Sequence, residues 1–248
     1  MQSREVSIER VEGGARRDDR DQVVVEAPLQ LRARGAPVAT VMRTPGHDLE
    51  LVRGLLHAES LAGAIAQVDA DAVDIDIAAS AFAGRGLLAS AACGVCGRVA
   101  IADLETRARE VTADTQVALA AIAAVPARLA AAQPVFAATG GLHAAALVAI
   151  GGELVCVRED VGRHNAVDKL AGWALDARRD PATAFLFLSG RIGYELVQKA
   201  VMLGVPVIAA VSAPSSLAIE LAERFNIALV GFVRGARANL YSHAWRIL

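Results

Sequence analysis

The chain reads as an α/β protein, and three observations carry that reading. Its last third alternates apolar runs with helical stretches, residues 184–188, 192–203, 205–211, 215–225 and 227–233, in the order β-α-β-α-β. Buried strands joined in this way form a parallel sheet with right-handed crossovers. Just upstream, residues 142–150 and 154–158 flank Gly151-Gly152 as a hairpin. Finally, 248 residues, 54% of them hydrophobic, are enough to bury a large core as one unit or two modest ones. We expect residues 1–21 to be a mobile charged tail, residues 22–112 a smaller N-terminal α+β domain, and residues 113–248 a second domain holding the parallel part.

Each element has its own signal. The opening residues are charged and self-neutralising, ending in Arg16-Arg17-Asp18-Asp19-Arg20-Asp21. Residues 23–32 and 37–43 are valine-rich and bounded by proline and glycine, two strands about an Arg34-Gly35 turn. Asp48 is placed to cap a helix after Pro45-Gly46, and Leu51, Val52, Leu55 and Leu56 fall on one face of it through about residue 59. Val73-Asp74-Ile75-Asp76-Ile77 alternates strictly, a half-exposed strand whose aspartates form a solvated face. Residues 113–132 form an alanine-rich helical region broken near Pro126, which marks the boundary between the halves. A helix over residues 163–178 buries Val167, Leu170, Ala171 and Ala174.

The chemistry concentrates in Ala91-Ala92-Cys93-Gly94-Val95-Cys96-Gly97, inside a glycine-punctuated loop spanning residues 84–97. A Cys-x-x-Cys pair lets one sulfur act while the other resolves it, shares a proton or shares a metal. The count of three cysteines gives no disulfide framework and argues for reduced thiols in the cytoplasm. A structural zinc site needs four ligands, and neither a second Cys-x-x-Cys nor a close histidine pair is present, so no metal site is expected. Cys156 lies alone in a strand, where burial is expected.

Other classes are disfavoured by composition. No apolar run reaches the roughly 18 to 20 residues of a membrane span, and the longest, residues 117–132, is interrupted by Pro126 and Arg128. No signal sequence opens the chain. A formal net charge of −2 and 4% aromatic residues leave neither a global positive field nor a base-stacking surface for nucleic acid.

In open parallel sheets, ligands bind beyond the carboxyl ends of the strands. Three successive strand ends here carry Ser189-Gly190-Arg191, Ser212-Ala213-Pro214-Ser215 and Arg234-Gly235-Ala236-Arg237. Hydroxyls, glycines and arginines suit phosphate oxygens. A fourth strand end holds a dense polar run, Arg158 to Lys169, in which Asn165, Asp168 and Lys169 are expected to reach solvent or a ligand. His143, in Thr139-Gly140-Gly141-Leu142-His143, is a candidate, while His47 and His57 read as surface or local packing groups.

Taken together and in order, Arg43-Thr44-Pro45-Gly46-His47-Asp48, Cys93-Gly94-Val95-Cys96-Gly97, Thr139 to Ala145, Glu159 to Lys169, Ser189-Gly190-Arg191 and Phe232-Val233-Arg234 resemble the FdhD/NarQ family of formate dehydrogenase accessory sulfurtransferases. The resemblance implies a cytidine deaminase-like core without its zinc site, and a cytoplasmic homodimer with no permanently bound metal. It implies a sulfur carrier that takes persulfide sulfur from a cysteine desulfurase and passes it to molybdenum bis(molybdopterin guanine dinucleotide), the cofactor of formate dehydrogenase. Cys93 matches the persulfide-carrying cysteine and Cys96 its companion. Phe232, Val233, Arg234, Gly235, Ala236 and Arg237 match the cofactor-binding segment, to which the strand-end reading adds Ser189, Gly190, Arg191 and Ser212. A non-catalytic chaperone that binds the cofactor and the apoenzyme is the alternative.

Overall fold

The structure, a computed structural model, describes residues 2–82 and 104–248. Cys93 and Cys96 lie outside the described residues. The chain opens on an antiparallel hairpin, β1 (Ser3–Glu12) and β2 (Ala15–Val24), rather than on a tail. Gly13 and Gly14 both take positive φ, 58° and 86°, the backbone that a tight two-residue hairpin turn requires. The charges that suggest a tail instead pair across the strands: Arg10 with Asp19 at 2.7 Å, Arg16 with Glu9 at 2.9 Å, and Arg20 with Glu5. Solvent screens such exposed pairs, so the backbone ladder and the half-buried Val6 and Ile8 hold the hairpin as well.

A four-stranded sheet follows, ordered β4-β3-β6-β5, from β3 (Ala27–Ala33), β4 (Ala36–Arg43), β5 (Ile65–Asp69) and β6 (Ala72–Ile75). The run read as one strand over residues 23–32 is therefore divided between β2 and β3. Leu29, Leu31, Val73 and Ile75 are fully buried, and they pack with Leu51, Val52 and Leu56 of helix α1 (Asp48–Ala58). Asp74 and Asp76 face outward as expected, and both fix the β3–β4 turn. Asp74 accepts a hydrogen bond from Gly35 N–H at 2.8 Å, and Asp76 pairs with Arg34 at 2.8 Å.

The large sheet has six strands, ordered β12-β11-β10-β9-β7-β8. They are β7 (His143–Ala149), β8 (Leu154–Asp160), β9 (Ala184–Leu188), β10 (Val207–Ala210), β11 (Ala228–Arg234) and β12 (Arg237–Ser242). Strands β9, β10 and β11 are parallel, as the β-α-β-α-β reading requires, while β7 runs antiparallel to both β8 and β9. The sheet is thus mixed. Strand β12, antiparallel to β11, is an edge that the sequence pattern does not reveal.

Both faces of this sheet are covered, which explains its unbroken apolar strands. Leu186 and Leu188 face α4 (Arg163–Asp176), α5 (Tyr194–Leu203) and α6 (Ser216–Arg224), whereas Phe185 and Phe187 face α2 (Leu119–Ala131). Helix α2 runs through Pro126 without ending there. A short helix, α3 (Pro134–Thr139), then leads into β7 and packs on the β1–β2 hairpin. The small sheet joins the large one chiefly through α1 against α4. Leu104 and Val111, beyond the undescribed segment, already belong to the core beneath the large sheet. Among the described residues no helix is long and apolar enough to cross a membrane.

Candidate functional site at the carboxyl edge of the large sheet

Strands β8, β9, β10 and β11 point the same way, so their carboxyl ends and the start of β7 line one edge. Ser189 follows β9; its Oγ accepts the N–H of Ala144 at 2.8 Å, tying the end of β9 to the start of β7. Gly190 is packed against His143, whose Nδ1 would lie 3.1 Å from any β-carbon added there. Arg191 is exposed. One strand further on, the carbonyl oxygen of Ser212 accepts the N–H of Phe232 at 3.2 Å. The expected phosphate-facing groups of the three strand ends therefore do share one edge.

Residues 232–237 form the projecting tip of the β11–β12 hairpin. Arg234 stands opposite Arg237 across Gly235 and Ala236, all four exposed. Phe232 is 40% exposed and has φ +53°, a conformation disfavoured for a bulky side chain, where the pairing of β11 with β12 is irregular. Val233 differs from the expectation: its side chain is 1% exposed and belongs to the apolar core, so only its backbone is left for a ligand.

The polar run at the end of β8 is arranged differently from its sequence reading. Asp168 and Lys169 do not reach solvent. Lys169 Nζ is fully buried, 2.7 Å from Asp160 Oδ2, and donates to the carbonyl oxygen of Thr44 at 2.8 Å. Asp160 also accepts from Thr44 N–H at 3.1 Å, Gly162 N–H at 2.8 Å and Asn165 Nδ2 at 2.9 Å. Asp168 is buried against Lys199 at 2.6 Å. Asp160, Asn165 and Lys169 hold residues 42–44, at the end of β4, to the edge of the large sheet.

Around them a second set orders the approach to the edge. Asp48 is not the cap of α1; His47 occupies that position, in a left-handed conformation, and Asp48 pairs with the fully buried Arg43 at 3.0 Å. Arg158 pairs with Glu50 at 2.6 Å, and Glu50 also lies 3.3 Å from His47. His57 Nε2 lies 2.8 Å from the carbonyl oxygen of Met202, a packing contact as expected. His164 Nε2 is 2.6 Å from Glu195, which holds that carboxyl below its usual range.

His143 enters a cavity of about 330 Å³ shared with Leu142, Val161 and Ser189. Burial holds its imidazole below the usual histidine pKa, and the nearby positive charges of Arg163, His164 and Arg191 act in the same direction against the opposing pull of Asp160. A cavity of about 310 Å³ on the small sheet, bordered by Gln30, Arg32 and Asp71, lies elsewhere and has no part in this edge.

Of the cysteines, Cys156 is buried, and desolvation pushes its thiol up to about 11. It is a poor nucleophile at neutral pH. Among the described residues no group of three or more histidine, cysteine, aspartate or glutamate side chains is arranged to hold a metal ion.

A mixed α/β protein whose parallel strands carry serines and exposed arginines along one carboxyl edge is the class this fold and site define. The chain belongs to the FdhD/NarQ family, whose model matches residues 24–248. It is 44% identical over 246 residues to the sulfur carrier protein FdhD of Nocardia farcinica, covering 92% of this chain and 88% of that one. The protein of the same description from Sulfolobus acidocaldarius is 42% identical, covering 100% and 99%, and that of Anaeromyxobacter sp. is 46% identical, covering 92% and 89%. The fold matches a crystal structure from Desulfotalea psychrophila assigned as a formate dehydrogenase accessory protein, with a TM-score of 0.82 and 24% identity over the whole of both chains.

Proposed function

We propose that this chain is a sulfur carrier that loads sulfane sulfur on Cys93 and passes it to the molybdenum bis(molybdopterin guanine dinucleotide) of formate dehydrogenase. The observation that carries the reading is the likeness, at 42–46% identity and over nearly the whole chain, to proteins described as sulfur carriers. The thiols support it. With Cys156 buried and held protonated, the nucleophile falls to the Cys93-Gly94-Val95-Cys96 pair.

Loading is an ordinary exchange. The Cys93 thiolate attacks the outer sulfur of a cysteine desulfurase persulfide, the donor S–S bond breaks, and the donor cysteine leaves as thiolate. The outer sulfur remains on Cys93 as a persulfide, with Cys96 as its companion. The cofactor is a client rather than a resident group, and the strand edge suits it: Ser189, Arg191, Ser212, Arg234 and Arg237 offer hydroxyl and guanidinium donors for pyrophosphate. Gly190, Phe232, Gly235, Ala236 and the backbone of Val233 complete the proposed surface. We further propose a cytidine deaminase-like core, a cytoplasmic homodimer, and the desulfurase and formate dehydrogenase as partners.

Intact mass after incubation with a desulfurase and cysteine tests this reading. A gain of one sulfur atom is expected in the parent and in Cys156→Ala, and none in Cys93→Ala. Sulfur mapped to Cys156, or none gained by the parent, would overturn it. In the alternative reading, a non-catalytic cofactor chaperone, the cofactor binds equally well to the Cys93→Ala chain and the client enzyme is fully activated by it.

A further inference from the structure

Helices α4 and α5 lie side by side on the large sheet, and charged side chains close the seam between them. His164 and Asp168 stand one turn apart on α4, and Glu195 and Lys199 one turn apart on α5, so the four occupy the corners of one patch. Across the seam His164 Nε2 lies 2.6 Å from Glu195 Oε2, and Lys199 Nζ lies 2.6 Å from Asp168 Oδ1. The two rungs are not equivalent. The Asp168 and Lys199 side chains are 4% and 15% exposed, whereas that of Glu195 is 46% exposed, so the His164–Glu195 rung is the one that meets solvent. Beneath both rungs, Val167, Leu170 and Ala171 of α4 share one apolar cluster with Leu196, Val197 and Ala200 of α5.

Charge alternates around this patch only while His164 carries a proton. With a neutral imidazole, two carboxylates face a single ammonium, and the outer rung loses its attraction. The contact with His164 is the largest cause that holds the Glu195 carboxyl below its usual range, with Lys199 and Arg163 acting in the same direction and burial opposing. Further charges face the patch from its neighbours. Arg163 precedes His164 on α4, His143 of β7 lies near it, and Glu59, at the end of α1, acts on Asp168 and stands 4.0 Å from Arg107. Of all these groups only the imidazoles ordinarily change charge near neutral pH.

The two helices differ in how firmly their starts are held. The start of α4 is fixed by the Lys169–Asp160 pair and by the Asn165 amide, which bonds both Asp160 and the Met42 carbonyl. Helix α5 begins at Gly193, which has no side chain to cap it. Its first two backbone bonds, from Leu196 N–H at 3.1 Å and Val197 N–H at 3.3 Å, end on the same Gly193 carbonyl oxygen. Uncapped helix starts fray readily. Glu195, in this first turn, ties it to His164 on the fixed helix.

We propose that the His164–Glu195 contact is a pH-operated clasp. Protonated His164 holds the first turn of α5 against α4. When that proton passes to solvent the turn is released, while the Asp168–Lys199 rung and the apolar seam beneath it stay closed. The clasp is thus shut on the acid side of the range in which histidines titrate and opens as pH rises through it. The inference rests on the seam alone and holds whatever ligand the strand edge takes.

Amide hydrogen exchange on the full chain, followed by NMR from about pH 5.5 to about 8.5 and corrected for the intrinsic pH dependence of exchange, reads the clasp directly. A local readout is needed because His143 and His47 give global stability the opposite pH dependence. Protection at Leu196 and Val197 should fall by about three-fold or more as pH rises across that range, the scale of one partly exposed charge pair. Ala166, whose N–H donates to the carbonyl oxygen of Gly162 at 3.0 Å in the fixed start of α4, should keep its protection, as should the buried amides of β9. Glu195→Gln and His164→Gln should each show the low, released protection at every pH, with no step. Corrected protection that is flat in the parent, a step that survives in either folded variant, or a loss that extends through α4 would overturn the proposal. The parent profile decides the matter where a variant does not fold.

Discussion

Lys169 Nζ lies 2.7 Å from Asp160 Oδ2, and both side chains are fully withdrawn from solvent. The pair joins two parts of the chain that are far apart in sequence, because the same two groups also bind the backbone of Thr44. Thr44 Oγ1 in turn accepts the N–H of Val161 at 3.2 Å, and Asn165 Nδ2 donates to the carbonyl oxygen of Met42 at 2.8 Å. The end of β4, the end of β8 and the start of α4 are thus fixed to one another beside the strand edge. The consequence is positional: Arg163, His164 and His143 hold their places at the cavity because the elements bearing them cannot slide.

Removing one member of this pair leaves the other charge buried without compensation, which typically costs about 3 to 5 kcal/mol. Lys169→Met and Asp160→Asn should each lower unfolding free energy in urea by an amount of that order. Against a total of about 5 to 15 kcal/mol for ordinary domains, either loss is large. The double variant should cost clearly less than the two singles added, because the pair is lost only once. Strict additivity would show that the two side chains are not coupled.

The sequence pattern makes the parallel part of the large sheet legible because Ala184–Leu188 and its two neighbours are wholly apolar and separated by helices that end at Gly204 and Phe225. The strand-end residues Ser189, Arg191, Ser212 and Arg234 follow from that reading, and they do share an edge. What escapes is whatever breaks the link between polarity and exposure. Asp168 and Lys169 look like surface groups because charge is usually solvated, yet Asp168 pairs with Lys199 of α5, and Lys169 pairs with Asp160 and binds the distant Thr44 carbonyl. The β1–β2 hairpin escapes because charge fills about half of its positions on both strands, and Val6 and Ile8 alone are too short an apolar face to mark the two-residue period. Gln133 carries no signal at all: its burial depends on α3 folding back toward β7.

Helices α1 and α4 meet through two glycines. A β-carbon on Gly54 would collide with the backbone of Asp168, and one on Gly172 with the backbone of Glu50. Because backbone rather than a flexible side chain is struck, neither clash is relieved by a rotamer change. Overpacking usually costs about 1 to 3 kcal/mol, so Gly54→Ala and Gly172→Ala should each fall at the upper end of that range or beyond it in urea unfolding. A loss below about 0.5 kcal/mol, the scale of ordinary surface changes, would mean that the helices are farther apart than described.

Thiol labelling separates the cysteines. The Cys156 thiol is pushed from its ordinary 9.0 to about 11, which lowers its thiolate fraction at pH 8 by about 100-fold before its burial is considered. Iodoacetamide at pH 8 should therefore leave Cys156 unmodified in the folded chain while labelling the Cys93–Cys96 segment, as read by peptide mass. Rapid labelling of Cys156 under native conditions would contradict both its burial and the choice of nucleophile.

His143 sets a pH dependence whose sign is fixed by its surroundings. Burial first, then Arg163, His164 and Arg191, lowers its pKa from the ordinary 6.5. The folded chain consequently binds this proton less tightly than the unfolded chain does. Its contribution to stability is complete above about pH 6.5 and is lost as pH falls through the lowered folded value, since the unfolded state takes up the proton first. His47 is shifted the same way, with burial as the largest cause and Arg158 next. The melting temperature should therefore drop between pH 7.5 and 5.5, and His143→Gln should shrink that drop without abolishing it, because His47 remains. Histidine ring signals followed by NMR across the same range should place the His143 midpoint below 6.5. A midpoint at or above 6.5 would show that His143 is not buried beside Arg163 and Arg191 as described.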